Sequence, residues 1–306
     1  MSGLGSIDLA GCVVDRLGLG SMSLTGRGTW GPPRDPAEAR RLLRRAAELG
    51  IGLFDTADAY GPGVAEELLA EALHPYEGVV VATKAGLTRQ GPGRWGRDGR
   101  PASLRAACEQ SLRRLRVEAI DLYQLHAVDP DVPLEESLGT LFDLRAEGKV
   151  RHVGVGNVDL SQLERALAVG PVVSVQNRYN LADRASDDVI DACARHGLAF
   201  IAWAPLAKGA VRRGEGALGE VARRRGLTPS QVALAWLLAR SDAVVPIPGT
   251  ASIAHLEENA AARAVVLTAG ELAHVATAPV TMPARTAARG PRRAVRRLAG
   301  ALGVRR

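Results

Sequence analysis

A single-domain (β/α)8 barrel of the TIM class, followed by a basic tail, is the fold this sequence predicts, and three observations predict it. Eight short apolar runs alternate with longer amphipathic stretches, the pattern of repeated βα units. The runs are rich in Val, Ile and Leu and almost unbroken, as strands covered on both faces must be. The competing open, doubly wound sheet wants Gly-x-Gly-x-x-Gly after its first strand. Here Gly18-Leu19-Gly20-Ser21-Met22-Ser23 lacks the third glycine, and no helix follows at once.

The runs lie at 16–22, 51–55, 79–83, 120–125, 151–155, 172–176, 199–203 and 243–247. Seven or eight helices are expected between and after them, several with readable ends. Asp35-Pro36 followed by Glu38 sets an N-cap, a proline in the first turn and a capping box, and Gly50 closes that helix. Leu104, Cys108, Ser111, Leu112 and Leu115 line one helical face, with Arg105, Arg113, Arg114 and Arg116 mostly off it. Thr228-Pro229-Ser230-Gln231 repeats the capping-box signature before another apolar helix. The barrel is expected over 1–280 as one domain. Residues 281–306 form an arginine-rich tail in which Val295, Leu298 and Leu302 suggest a short basic helix over 291–304. The glycine- and arginine-rich stretch from Arg89 to Arg100 reads as a mobile lid or a solvated loop.

Of 306 residues, 46% are hydrophobic and 24% charged, the composition of a globular protein with a sizeable core. The net charge of +6 resides in the tail, which holds eight arginines and no acid. Without it, 31 basic residues face 33 acidic ones, so no nucleic-acid-binding body is expected. No apolar run reaches the ~18 residues of a membrane span, and no leader is visible at the start. Cys12, Cys108 and Cys193 are widely spaced and form no CxxC. A buried, inert thiol at Cys108, a reducing cytoplasm and no metal site are the expectation.

Function in a barrel gathers at the C-terminal ends of the strands. Those ends supply Asp55, Lys84 and His126, and Tyr60 lies five residues past Asp55 in the loop. Each has an ordinary reading: a turn cap, a packed loop ring, a satisfied core histidine. Lys84 continues a buried run, where an unpaired ammonium is costly, and Asp55 is the nearest group to neutralise it. Together the four suit carbonyl reduction. A hydride arriving at carbon leaves charge on oxygen, which needs a proton donor. Tyr60 has an unperturbed pKa near ~10, and a neighbouring ammonium favours the phenolate and lowers that value. Two charges ~4 Å apart at an effective dielectric of about 20 interact by ~4 kcal/mol. Asp55 would hold Lys84 in place, and His126 would orient the carbonyl oxygen.

Over about 13–277 the chain resembles the aldo-keto reductase superfamily. The motifs are RLGLGSM (16–22), FDTADAYG (54–61), VVATKAG (80–86), DLYQLH (121–126), HVGVGN (152–157), VQNRYN (175–180), AWAPLAKG (202–209) and IPGTASIAHLEEN (247–259). GRGTWGPPRD (26–35) and 247–259 look most like the bacterial pyridoxal reductase branch. The resemblance implies a bound nicotinamide dinucleotide and a small-molecule carbonyl substrate. It implies Tyr60 as acid with Asp55, Lys84 and His126 in support. Ser21, Met22, Asn157 and Gln176 would face the cofactor, the last two at its carboxamide, and Trp203 would stack on the nicotinamide. Leu206 to Gly209 would wrap the pyrophosphate, and Gly249, Thr250, Ser252, His255, Glu258 and Asn259 would hold the adenosine end. NADPH is the cofactor expected. Two departures stand out: Gly156 replaces the usual serine, and His255 stands where many members carry an arginine for the 2′-phosphate. Trp30 and Trp95 are candidates for the wall of the substrate pocket. The alternatives are a non-catalytic NADPH-binding subunit of this fold, or a Schiff-base lyase using Lys84.

Overall fold

A computed structural model describes residues 5–9 and 11–281. Two short strands, β1 (Ser6–Leu9) and β2 (Cys12–Asp15), open it as an antiparallel hairpin. Leu9 and Val14 pack with Leu53, Val80, Leu122 and Ile201, and so stop the N-terminal mouth of the barrel. This hairpin is absent from the sequence expectation.

Eight parallel strands then run around one sheet in chain order. They are β3 (Leu19–Gly20), β4 (Leu53–Asp55), β5 (Val80–Ala85), β8 (Ile120–Leu125), β9 (Val150–Gly156), β10 (Val172–Arg178), β11 (Ala199–Trp203) and β12 (Val244–Pro246). The amide of Gly18 donates to Pro246 O at 3.0 Å and closes the sheet into a barrel. Arg16 rivets the same seam. Its guanidinium donates to Val244 O at 3.4 Å, Leu238 O at 2.7 Å and Ser241 O, and pairs with Asp242 at 2.9 Å. The run 16–22 is thus a strand only at Leu19–Gly20. Arg16 is drawn to the seam before it, and Ser21–Leu24 coils into a 3-10 turn after it.

The outer layer comprises α1 (Pro36–Glu48), α2 (Val64–Leu73), α3 (Pro101–Leu115), α4 (Leu134–Ala146), α5 (Leu160–Val169), α6 (Asp187–His196), α7 (Gly216–Arg225), α8 (Pro229–Arg240), α9 (Ile253–Ala261) and α10 (Ala269–Val275). The buried side chains of α3 are Leu104, Cys108, Ser111, Leu112 and Leu115, the face that the 3.6-residue period picks out. Burial pushes the thiols of Cys108 and Cys193 up to about 12, so both are inert packing groups. Asp35 caps α1 by accepting the Glu38 amide at 2.9 Å, while the Glu38 carboxylate turns to Arg41 instead of completing the box. At Thr228 both halves of the capping box are present.

The stretch expected as a lid or solvated loop is instead an ordered hairpin, β6 (Leu87–Gly91) with β7 (Arg94–Arg97). Beyond Thr281, the arginine-rich tail and the helix expected over 291–304 lie outside the described residues. No helix among the described residues is long and apolar enough to cross a membrane.

Candidate active site

Asp55 ends β4, Lys84 lies in β5, and His126 follows β8, so three adjacent strands deliver them to one rim. The loop after β4 is tied back onto β5. Thr56 donates its amide to Ala82 O at 2.7 Å and Asp58 to Lys84 O at 3.2 Å. That fixes the turn from which Tyr60 reaches over Lys84. The Lys84 ammonium donates to Asp55 Oδ2 at 2.8 Å, to Thr56 O at 2.6 Å and to Tyr60 Oη at 3.5 Å. The His126 ring meets the Tyr60 ring edge-on at 5.8 Å. The four candidates of the rim therefore form one buried cluster.

Burial works against the Lys84 charge, but Asp55 and then Tyr60 hold its pKa above the ordinary lysine value. Burial, followed by the Lys84 charge, pushes His126 well below the usual imidazole range and leaves it neutral. Its buried Nδ1 has no hydrogen-bond partner. Tyr60 departs from expectation. The ammonium does pull its pKa down, but burial pushes up harder, so the phenol stays above its ordinary value. Sequence shows the charged neighbour and hides the dryness of the site.

A second buried group lies behind the first. Glu66 is fully buried, accepts from Thr83 Oγ1 at 2.6 Å and pairs with Arg114 at 2.6 Å, so Arg114 faces inward after all. Asp58, in the loop between Asp55 and Tyr60, is pushed up to about 8 by burial and then by Glu66, against the pull of Arg114, the Ala59 amide and Lys84. Its Oδ1 is buried without a partner. Because the folded pKa lies above the unfolded value near ~3.9, folding favours the protonated acid. Stability is then lost as pH rises from the unfolded value towards about 8. Asp58→Asn, a neutral isostere, is expected to raise the melting temperature at pH 9 and to leave it nearly unchanged at pH 4. An equal shift at both pH values would show that Asp58 is ionised throughout.

Of the groups expected to face a dinucleotide, Ser21 and Met22 follow β3, Asn157 follows β9, Gln176 lies in β10, Trp203 ends β11, and Gly249 to Asn259 come after β12. Gln176 donates its amide to Asp55 Oδ1 at 2.7 Å. Asn157 donates to His126 O at 2.8 Å and accepts from Trp203 Nε1 at 3.1 Å. Both amides thus support the buried cluster, and each keeps a further N–H and lone pair with which a carboxamide can bond. Trp203 is half-buried, with Arg178 5.5 Å from its ring centroid. Gly156 has a local reason: a Cβ there would lie 2.9 Å from His126 O, so a serine does not fit without moving the backbone beside His126. Ser21 Oγ is buried and unpartnered, whereas Met22 is exposed. Leu206 precedes a kinked 3-10 segment in which Lys208 and Gly209 take left-handed backbone.

At α9, Ser252 caps the helix by accepting the His255 amide at 3.4 Å, and Thr250 Oγ1 accepts the Ser252 amide at 3.1 Å. These hydroxyls therefore brace the helix start as well as bordering it. Glu258 accepts from the Thr228 hydroxyl at 2.7 Å and is committed to α8. Gly249 approaches Gly20 at the barrel seam, and Asn259 is buried. Fit to a dinucleotide thus rests on the Trp203 face, the α9 terminus and the unpartnered Ser21 and His126 atoms.

Trp30 and Trp95 are both partly exposed beside this rim. Between them lies a residue that sequence reasoning missed, Arg89, 3.9 Å from the Trp95 ring centroid and 5.7 Å from that of Trp30.

Comparison with known proteins gives the family and the fold. The model of the aldo/keto reductase family matches residues 16–278. The chain is 41% identical to pyridoxine 4-dehydrogenase of Escherichia coli, over 81% of this chain and 89% of that one. It is 44% identical to an uncharacterised oxidoreductase of Schizosaccharomyces pombe, over 86% of each. Among solved structures, glycerol dehydrogenase of Gluconobacter oxydans superposes with a TM-score of 0.82 at 29% identity, covering 90% of this chain and 94% of that one. An aldo-keto reductase of Klebsiella pneumoniae in complex with NADPH superposes at 0.77 and 30%, with the same coverage.

Proposed function

The chain belongs to the aldo/keto reductase family, and on that premise we propose that it is a cytoplasmic, NADPH-dependent reductase of small aldehydes or ketones. The observation behind the reading is the buried contact of phenol, ammonium and carboxylate: Tyr60 Oη 3.5 Å from Lys84 Nζ, which lies 2.8 Å from Asp55. Trp203, Asn157 and Gln176 would hold a reduced nicotinamide at the rim, and its chemistry there would be to supply hydride to a carbonyl carbon. As charge grows on the oxygen, Tyr60 donates its proton there, and the alcohol forms. Lys84 stabilises the phenolate left behind and recovers the ordinary charge balance once Tyr60 is reprotonated. Neutral His126 has a ring N–H to offer the same oxygen.

All three donors of the Lys84 ammonium have partners, and its charge is held by Asp55. A Schiff base needs the neutral amine, which speaks against a lyase. A non-catalytic NADPH-binding role leaves the costly buried pair without a purpose. The test is loss of NADPH absorbance with a carbonyl panel that includes pyridoxal, keto-sugars and aryl aldehydes. No turnover with any of them, in protein that binds NADPH, would sink the proposal.

NADPH is proposed over NADH because the α9 terminus offers N–H groups to the 2′-phosphate, with Thr250 and Ser252 beside it. His255 lacks the bidentate reach of an arginine. Since a charged hydrogen bond contributes ~1.5–3 kcal/mol, His255→Arg is expected to raise the NADPH-over-NADH preference about tenfold or more. Dissociation constants for both cofactors and both proteins check this. Equal or tighter NADH binding by the wild type would overturn the preference, and an unmoved ratio in the variant would place the 2′-phosphate elsewhere.

A further inference from the structure

Arg89 joins three segments of the rim. It projects from β6, opposite Trp95 of β7 in the hairpin register. Its Nη1 donates to Thr29 O at 2.5 Å and to Ala59 O at 2.9 Å. Its Nη2 donates to Gly28 O at 2.7 Å and to Gly91 O at 3.4 Å. The acceptors lie in the loop that carries Trp30, in the residue before Tyr60, and in the hairpin itself. Only a planar fork reaches carbonyls spread in this way; a lysine ammonium is a compact point charge on a flexible stem.

Other contacts reinforce the tie. Gly93, at the hairpin tip, donates its amide to Gly28 O at 3.0 Å. Gly28 has φ +74°, and a Cβ there would lie 3.1 Å from Gly93 N, so the tip is seated on the Trp30 loop as closely as backbone allows. Gly31 donates to Gly61 O at 2.8 Å, which sets Trp30 alongside the residue after Tyr60. The two indoles nevertheless remain 38% and 41% exposed. They are rigidly backed, stacked about one guanidinium, and still open.

We propose that Arg89 is a specificity-determining positioning residue: by binding the Trp30 loop, the Tyr60 loop and the Trp95 hairpin into one rim, it holds two open indole surfaces ready to stack on a flat, aromatic carbonyl substrate. Stacking favours aromatic partners beyond the area they bury, and surfaces ordered in advance lose little entropy when the substrate arrives. The proposal rests on the carbonyl-reductase reading of the same site and adds the substrate class to it.

The test compares benzaldehyde with cyclohexanecarbaldehyde, rings of equal carbon number, one flat and one puckered. Arg89→Lys and Trp95→Leu are each expected to lower the benzaldehyde-to-cyclohexanecarbaldehyde ratio of kcat/KM about 3- to 10-fold. The change should come through KM for benzaldehyde more than through its kcat. Quenching of tryptophan fluorescence by benzamide and by cyclohexanecarboxamide, with NADPH bound, gives a second readout that needs no turnover. Tighter benzamide binding in the wild type, lost in the variants, supports the rim even if neither aldehyde is reduced, in which case the reductase reading alone fails. Unchanged ratios in both variants overturn the proposal, as does a wild type that binds the two amides equally. Should Arg89→Lys not fold, Trp95→Leu and Trp30→Leu decide the matter by the same ratios.

Discussion

Tyr60→Phe is expected to cut aldehyde reduction about 10²- to 10⁴-fold, which is ~3–5 kcal/mol of barrier, while NADPH binding stays essentially unchanged. The substitution deletes one oxygen, 3.5 Å from Lys84 Nζ, and keeps the ring that packs edge-on against His126. Single-turnover measurement separates chemistry from product release. A variant that retains more than about a third of wild-type chemistry would remove Tyr60 from the donor role. The same group sets a pH dependence. Because burial holds the phenol above its ordinary value despite the pull of Lys84, the proton donor persists as pH passes ~10, where a free tyrosine ionises. Reduction should therefore not lose its donor there. Alcohol oxidation, which needs the phenolate as base, should climb with pH across the same range.

Asp55→Asn is expected to cost about 3–5 kcal/mol of stability. Lys84 and Asp55 are only 1% and 2% exposed, so solvent does not replace the lost counter-ion. The ammonium is left with neutral acceptors alone, the Thr56 carbonyl, the Tyr60 hydroxyl and at best the new amide oxygen. Lys84→Met should cost a similar amount, because the buried carboxylate then keeps neutral amides in place of its cation, Gln176 foremost. Joining Asp55→Asn to Lys84→Met removes both charges and should recover much of the loss, yet remain inactive. Urea unfolding of the two singles and the double gives the coupling directly. Additive losses would mean that the two groups are not a charged pair, and activity in the double would dissociate the pair from catalysis.

The parts of this molecule that were readable in advance are those governed by a local period. Leu104 to Leu115 follow 3.6-residue spacing because one face of a helix must meet the barrel. Ile120–Leu125 and Ala199–Trp203 are unbroken apolar runs because both faces are covered. The rim residues were readable because barrel geometry places strand ends together whatever lies between them. The hairpin of β1 and β2 has a signal in sequence, two short runs separated by Ala10-Gly11. The hairpin after Lys84 carries turn chemistry in Gly91-Pro92-Gly93 but no apolar alternation to mark its strands. Its order comes from the bonds of Arg89 to Gly28, Thr29 and Ala59, residues some thirty to sixty positions away. The link from Gln176 to Asp55 spans 121 positions, and no spacing rule points to it. The upward shift of Tyr60 was hidden because sequence displays charge and conceals desolvation.

The rivet at Arg16 also bears on how the chain assembles. Its bonds to Leu238, Ser241 and Val244 span 222 to 228 positions, while each inner strand pairs with the next parallel strand in the chain. Growth strand by strand thus produces an open ribbon with two bare edges, prone to pairing with other chains. Closing a loop of that length costs on the order of 5 kcal/mol in chain entropy. The reward arrives only when Gly18 meets Pro246 and Arg16 finds its carbonyls. Assembly is therefore expected to be slow at its last step, as for folds dominated by distant contacts. Both ends of the barrel share that one joint, so loosening either end reopens a ring.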